Sequence, residues 1–305
     1  MADGARLLRP GSPAGARRRG RHGRRPHRRA RQARAPAHGQ RLIDWLPMPF
    51  DFPFDDWADI YDAVHADLTH DIDFYVELAR ESGGPVLELG CGTGRISLAI
   101  AKQGIAVTGI DISPRMIEVA QAKAVKRGLS ERCVFQSGDM AALQLAERFP
   151  LVIMPFRSFQ SMLTTEEQRQ ALVRVRAQLT PGGVFAMDTF NPDVNSLGGD
   201  EKARLAYHMK DVEREDGGTL VIWGQNNWDP VTQVNDTRLI IEEVSDEGVV
   251  ERRLIRDFEQ RYTFRYEMEH LLELCGFDLE ALDGDFDGGP VTEETEDLVW
   301  VARAA

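Results

Sequence analysis

Val86-Leu87-Glu88-Leu89-Gly90-Cys91-Gly92-Thr93-Gly94-Arg95-Ile96-Ser97-Leu98-Ala99-Ile100 decides the fold. Val86–Leu89 reads as a short strand and the three alternating glycines as a turn. Ile96, Ala99 and Ile100 recur at helical spacing, so Arg95 to Gln103 reads as a helix. Strand, glycine turn and helix in that order make a corner that receives an anion or a nucleotide. Glycine admits a ligand close to the backbone, and the first helical turn presents N–H groups without partners. The dinucleotide pattern GxGxxG fails, because the sixth position is Arg95 counted from Gly90 and Ser97 counted from Gly92. A phosphate loop also fails, since no Gly-Lys-Ser/Thr follows. A second strand over 105–110 ends in Asp111, 21 residues beyond Gly90, where a carboxylate reaches ribose hydroxyls.

The flanking sequence repeats the alternation. Ser113-Pro114 caps a helix that runs to Lys126, with proline at a first-turn position. Strands follow at Cys133–Gln136, closed by Ser137-Gly138-Asp139-Met140, and at Leu151–Met154. Thr164 and Thr165 with Glu166 and Glu167 open a helix to Leu179, and Thr180-Pro181-Gly182-Gly183 turns into a strand over Val184–Thr189. Before the glycine turn, Ile60, Val64, Leu68, Ile72, Val76 and Ala79 predict one helix over 55–80, stopped by Ser82-Gly83-Gly84-Pro85. Beyond Asn191 the helices disappear. Strand-like stretches at 205–212, 219–228, 237–244 and 249–258 predict an antiparallel excursion. A helix over 265–275 and strands near 277–282 and 297–303 complete the chain. The expectation is α/β: a doubly wound, Rossmann-like, mostly parallel seven-stranded sheet with an inserted antiparallel β excursion. Its parts are an arm at 1–43, a core at 44–193, the insertion at 194–258 (a lid or a homodimer surface) and the end of the core at 259–305.

Of 37 Lys+Arg and 49 Asp+Glu in 305 residues, thirteen Arg and one acid fall in residues 1–41. That leaves 24 basic against 48 acidic residues behind a basic arm. The arm has no aromatic residue and no apolar period, so it is expected to be disordered. It lacks the apolar stretch of a secretory signal and the serines of a transit peptide. Arg outnumbers Lys 32 to 5, as in GC-rich coding sequence, and the arm is expected to be sequence upstream of a natural start at Met48. Nucleic acid is disfavoured as a partner, because the acidic body repels a polyanion and the arm offers no base-stacking residue. Three scattered cysteines, Cys91, Cys133 and Cys275, exclude a disulfide framework and suit a reducing, cytoplasmic setting. No apolar run is long enough to span a bilayer.

Glu88-Leu89-Gly90-Cys91-Gly92-Thr93-Gly94 fits E/D-x-G-x-G-x-G. With Asp111, Met116, Gly138-Asp139-Met140 and Thr180-Pro181-Gly182-Gly183 in order behind it, the sequence resembles class I S-adenosylmethionine (SAM)-dependent methyltransferases over about 55–192 and 260–303. The resemblance implies SAM as cofactor. It implies Glu88, Gly90, Gly92 and Gly94 beneath the methionine moiety and ribose, Asp111 on both ribose hydroxyls with Ile112 beside it, Met116 on the adenine face, and Asp139 and Met140 at the adenine edge. Tyr61 resembles the tyrosine that closes over the methionine end in glycine/sarcosine-type and amino-sugar N-methyltransferases, and His65 one turn on reads as a plain helix residue. The sequence departs from the family at Pro150, where Asp is usual, and at Ser161, near which amino-sugar enzymes carry His. Arg157 is a candidate to hold a substrate carboxylate or phosphate, or else an ion pair. Asp188 and Asn191 resemble part of a catechol-type metal site, but the strand ending Met154-Pro155-Phe156-Arg157 lacks the partner carboxylate, so no metal is expected. Tyr207, His208, Trp223 and Trp228 are expected to line the lid. The resulting expectation is methyl transfer to an amine of a small molecule or peptide. The alternatives are O-methylation of a small metabolite, nucleic-acid methylation through the basic arm, and SAM sensing without turnover.

Overall fold

The computed structural model describes residues 54–192, 205–214 and 217–305; the arm at 1–43 lies outside them. A 3-10 turn (Asp55–Trp57) leads into α1 (Ala58–Val64) and α2 (Ile72–Ser82). The wound core follows as β1 (Val86–Leu89), α3 (Arg95–Lys102), β2 (Val107–Asp111), α4 (Pro114–Lys126), β3 (Cys133–Ser137) and β4 (Phe149–Met154). Next come a second 3-10 turn (Ser158–Ser161), α5 (Thr165–Gln178) and β5 (Leu179–Phe190). The insertion is β6 (Tyr207–Glu213), β7 (Thr219–Asp229), β8 (Val234–Val244) and β9 (Val250–Arg261). The chain ends with α6 (Arg265–Leu274), β10 (Phe277–Asp283) and β11 (Asp297–Ala304).

Seven strands form one sheet in the order β10-β11-β5-β4-β1-β2-β3. β11 runs antiparallel to both β5 and β10, and the remaining pairs are parallel. Leu172 and Val175 of α5 and Met268 and Leu272 of α6 pack with Phe149, Phe185 and Trp300. Tyr75, Val76 and Ala79 of α2 and Ile96 and Ile100 of α3 pack with Val86, Leu151 and Ile153. On β4, Val152 and Met154 of the first cluster alternate with Leu151 and Ile153 of the second, which places the two clusters on opposite faces. The order reverses between β1 and β4, so the carboxyl ends of β1, β2, β4 and β5 surround the crevice where such sheets bind ligands.

The caps follow the sequence. Ser113 accepts from the Met116 N–H at the start of α4, and Thr164 and Glu167 form a reciprocal capping box on α5. Pro150 sits where the β4–β5 register shifts, so the ladder does without its missing N–H. Two boundaries differ from expectation. β5 starts at Leu179, so Thr180–Gly183 is an irregular strand entry rather than a separate turn. The single helix expected over 55–80 is two. Val64, with Ile60, packs on the insertion, while Val76 and Ala79 pack on the large sheet. One straight helix cannot cover two sheets, and the chain bends at 65–71.

The insertion is a four-stranded antiparallel sheet in the order β6-β7-β8-β9. Leu220, Ile222, Leu239 and Ile241 on its inner face meet Val64, Ile60 and Tyr61 of α1. Among the described residues no helix is long and apolar enough to cross a membrane.

Candidate active site

A cavity of about 1310 Å³ opens at the carboxyl ends of the parallel strands and continues along the inner face of the antiparallel sheet. Gly90, Gly92, Asp111, Ile112, Met116, Asp139 and Met140 line one side; Tyr61, Arg157 and Ser161 line it as well. Glu88 and Gly94 do not. Glu88 is 2% exposed and accepts from the Ser97 hydroxyl, which ties α3 to β1. Burial pushes its carboxyl up to about 8. Gly94 has φ +80°, and a Cβ there would come within 3.0 Å of Phe135 and 3.2 Å of Ala120, so its place is in helix–sheet packing.

The glycine turn is held from both strands. Gly90 N–H and Cys91 N–H donate to the Ile110 carbonyl at 2.8 and 3.0 Å. A Cβ on Gly90 would lie 2.4 Å from Ser158 Oγ, so no larger residue fits between the β1 and β4 loops. Asp111 accepts from Gly92 N–H at 2.8 Å and from Ser113 N–H at 2.9 Å, one on each oxygen. Each oxygen keeps a further acceptor position. Burial raises the carboxyl's pKa, and the two backbone donors oppose the rise.

The acids of α1 and its neighbours fasten this segment over the turn. Asp62 pairs with Lys123 at 2.7 Å and accepts from Thr93; Asp55 accepts from Ser113. Asp71 takes the Arg95 guanidinium through two bonds of 2.5 and 2.6 Å. These ties place Tyr61 and His65 in the cavity wall. Their rings stand 4.5 Å apart, and the His65 ring is 5.1 Å from that of Phe156. Burial raises the Tyr61 phenol, so it stays protonated. Burial, with Lys210 and Arg95 opposing a further charge, lowers His65 to about 4. His65 is therefore a neutral imidazole at the site rather than a plain helix residue. The spacing of four from Tyr61 was the available signal.

The loop after β4 rests on Asp188. This carboxylate, 2% exposed, accepts from Tyr75 Oη at 2.7 Å, Phe156 N–H at 2.8 Å and Arg157 N–H at 2.9 Å. Phe156 and Arg157 have φ of 53° and 61°, left-handed values that a side-chain-bearing residue adopts at a cost of about 1 kcal/mol or more each. Burial pushes Asp188 up to about 6. Asp188 is a loop clamp, and no cluster of three metal-ligating side chains occurs among the described residues. Arg157 reaches the cavity, yet its guanidinium already bonds Asp297 at 2.7 and 3.0 Å and lies over Phe190. Ser161 donates to the Ser158 carbonyl at 2.7 Å.

Of the four residues expected to line the lid, Tyr207 and Trp228 do. His208 and Trp223 do not: they pair with each other across β6 and β7 and bond Asp211 and Glu242. Strand parity turns them to the outer face. The inner face adds Asn226, Asn235 and Thr237 to the cavity; Asn235 fell outside the strand expected to begin at Thr237, and the facing of Asn226 and Thr237 needed the strand register.

Comparisons with known proteins agree with this geometry. A family model described as a methyltransferase domain matches residues 80–243, more than half of the chain. The cypemycin N-terminal methyltransferase of a Streptomyces species is 26% identical over 225 residues, covering 72% of this chain and 82% of that protein. The structure of the CcbJ methyltransferase from Streptomyces caelestis superposes with a TM-score of 0.68 at 26% identity, covering 83% of this chain and 98% of the other. SAM-bound CalS10, an amino pentose methyltransferase from Micromonospora echinaspora, shares the fold with a TM-score of 0.61 at 20% identity, covering 81% and 97%.

Proposed function

Because the chain belongs to the class I SAM-dependent methyltransferases, we propose that it transfers the methyl group of SAM to an amine of a small molecule or peptide. The charge of the cavity carries this reading. Glu259, Glu293, Glu294 and Glu296 line its outer part. Arg157 and Lys210, the lining arginine and lysine, are paired with Asp297 and Asp67. Such a wall draws in a cationic amine and repels anions, including a nucleic-acid backbone. The Streptomyces relative named for N-terminal methyl transfer supports a peptide amine as acceptor.

The residues fit the cofactor. The open, side-chain-free surface at Gly92 leaves room for its methionine end, and the free acceptor positions of Asp111 suit two ribose hydroxyls. Met116, with Ile112, supplies an apolar wall for adenine; Asp139 and Met140 stand at its edge. Bound SAM would supply a sulfonium methyl: an amine drawn in as its ammonium first loses a proton to water, and the lone pair thus freed displaces the methyl in line, leaving a thioether. Catalysis by the chain is then alignment and exclusion of water. Tyr61 presents an un-ionised phenol and an aromatic face suited to a sulfonium. Phe156, Phe190 and Trp228 keep the acceptor's path apolar. His65, neutral, adds an uncharged ring beside those of Tyr61 and Phe156.

Incubating the full chain with methyl-labelled SAM and matched panels of amines and phenols, followed by mass spectrometry, tests the reading. Labelled amines are expected; labelled phenols with untouched amines would overturn it. Replacing Glu293, Glu294 and Glu296 by Gln raises KM for a cationic amine several-fold at low salt, and less at high salt.

A further inference from the structure

A second cavity, of about 710 Å³, lies behind α1, and Tyr61 and His65 belong to the walls of both. It follows the groove between α3 and α4. Arg95, Ala99 and Lys102 line it from one face of α3, at i, i+4 and i+7, and Lys123 and Arg127 line it from α4 and its cap. The groove between them is apolar, with Ala99, Leu129, Leu68 and Ile72 half-buried along it. β2 and β3 begin side by side, Val107 opposite Cys133, so the helices leading into them finish at one end of the groove. There Arg132 donates to the Gly104 carbonyl at 2.6 Å. Lys102 and Arg127 therefore stand at the same end.

The charge here runs against that of the chain. Residues 42–305 carry two acids for every base. The charged lining of this groove is Arg95, Lys102, Lys123 and Arg127 against Asp62 alone. Asp71 pairs with Arg95 and Asp62 with Lys123. Lys102 and Arg127 are exposed and have no acidic partner among the described residues. Burial, with Arg127 and Arg95 behind it, lowers the pKa of Lys123 although Asp62 opposes the fall. The groove thus keeps a positive potential that its one carboxylate does not cancel.

A cation in a last helical turn complements the helix dipole. That accounts for the charge of Lys102 and Arg127, but not for the apolar floor left half open between them and α1. Nor is this an ordinary solvated helix face, because the bend between α1 and α2 closes it with Leu68, Thr69 and Ile72. The volume is that of a small-molecule site rather than of a docking face for a folded partner. From Arg95 to Lys102 the floor runs about 10 Å along α3, the reach of a medium-length hydrocarbon chain. We propose that this groove is a second ligand site, for a small anion with an apolar tail. Lys102 and Arg127 hold its carboxylate or phosphate-monoester head, and the tail lies along Ala99 and Leu129 towards Ile72. A guanidinium fork beside an ammonium suits either head. The glutamates at the mouth of the first cavity repel the same molecule, so the two cavities sort ligands by charge. The site does not depend on which acceptor is methylated, or on methyl transfer at all.

Ligand-observed NMR titration of the full chain tests the site, with octanoate and octyl phosphate as probes below their micellar concentrations. Both are expected to bind, and to stay bound when S-adenosylhomocysteine saturates the first cavity. Octanol, which lacks the charge, and octylamine, which reverses it, are expected to bind about tenfold or more weakly. Acetate and inorganic phosphate, which lack the tail, are expected to fall by about as much. Lys102→Gln with Arg127→Gln, at two exposed positions, should erase the preference for octanoate over octanol while S-adenosylhomocysteine affinity, the check on folding, stays as in the wild type. Either substitution alone should weaken octanoate several-fold, so the outcome does not hang on the double variant. Lys102→Arg with Arg127→Lys keeps both charges and keeps the preference. A response confined to octanoate or to octyl phosphate supports the site and names its head group. No binding by either anion, equal binding of octanol, octylamine or the tailless ions, displacement by S-adenosylhomocysteine, or a preference that survives the Gln pair overturns the proposal.

Discussion

The two walls of the cavity are built by different means. The wall formed by β1, β2 and their turns is backbone work: two N–H groups on one carbonyl, two more on Asp111, and a glycine whose replacement collides with Ser158. Its parts lie within a few dozen residues of one another. The opposite wall is side-chain work. Tyr61 comes from α1 and His65 from just beyond its end, Arg157 from the β4 loop, Trp228 and Asn235 from the insertion and Glu293 to Glu296 from the segment before β11. A wall made of backbone fixes the shape of a constant ligand, while one made of side chains from distant segments changes residue by residue. That division suits a protein whose methyl donor is common to its family and whose acceptor is its own.

If the division holds, damage to the first wall shows in cofactor affinity and damage to the second in turnover. Asp111→Ala should have the largest effect on affinity, weakening SAM binding by about 1–3 kcal/mol in calorimetry as charge-assisted ribose bonds vanish. Unchanged affinity would break the comparison at its strongest point. Asp188→Asn comes next. Its amide N–H meets one of the backbone donors of Phe156 and Arg157, so kcat should fall about tenfold or more with SAM affinity nearly unchanged. In the wild type those two amide resonances should move with a midpoint near pH 6, as Asp188 gains a proton and loses an acceptor position, and in the Asn variant they should not.

Tyr61→Phe sharpens the contrast. Turnover should fall several-fold and SAM affinity less; equal losses would make Tyr61 part of the packing between α1 and the antiparallel sheet. The smallest effect belongs to Glu88→Gln and is one of stability. Glu88 titrates near 8 in the fold and near 4.5 unfolded, so the native state holds the extra proton between these values. Its stabilising effect is complete at low pH and is lost as pH rises through about 8. The Tm of the Gln variant should therefore gain on the wild type by a few degrees between pH 6 and 8.5.

What the sequence disclosed follows the same division. Three glycines, Asp111 and the Ser113-Pro114 cap announce themselves because each is the residue type a local backbone geometry requires, although Glu88 and Gly94, expected beneath the ligand, lie in helix–sheet packing instead. Asp188 was visible as a carboxylate at a strand end but not as a clamp, since its three donors come from α2 and the β4 loop. Arg157 read equally as an anion anchor or an ion pair, and its partner in the pair, Asp297, lies 140 residues away, beyond the reach of local sequence. His208 and Trp223 were placed on the wrong face because a strand's parity is readable only once its register is fixed.

β11 is the last strand in the chain, yet it lies inside the sheet, between β5 and β10. A ribosome therefore releases β10 before the neighbour that joins it to the rest exists, and during synthesis the cofactor half can zip up while the far edge waits unpaired. Removing β11, the eight residues Asp297–Ala304, would not trim an edge but cut the sheet in two, stranding α6 and β10.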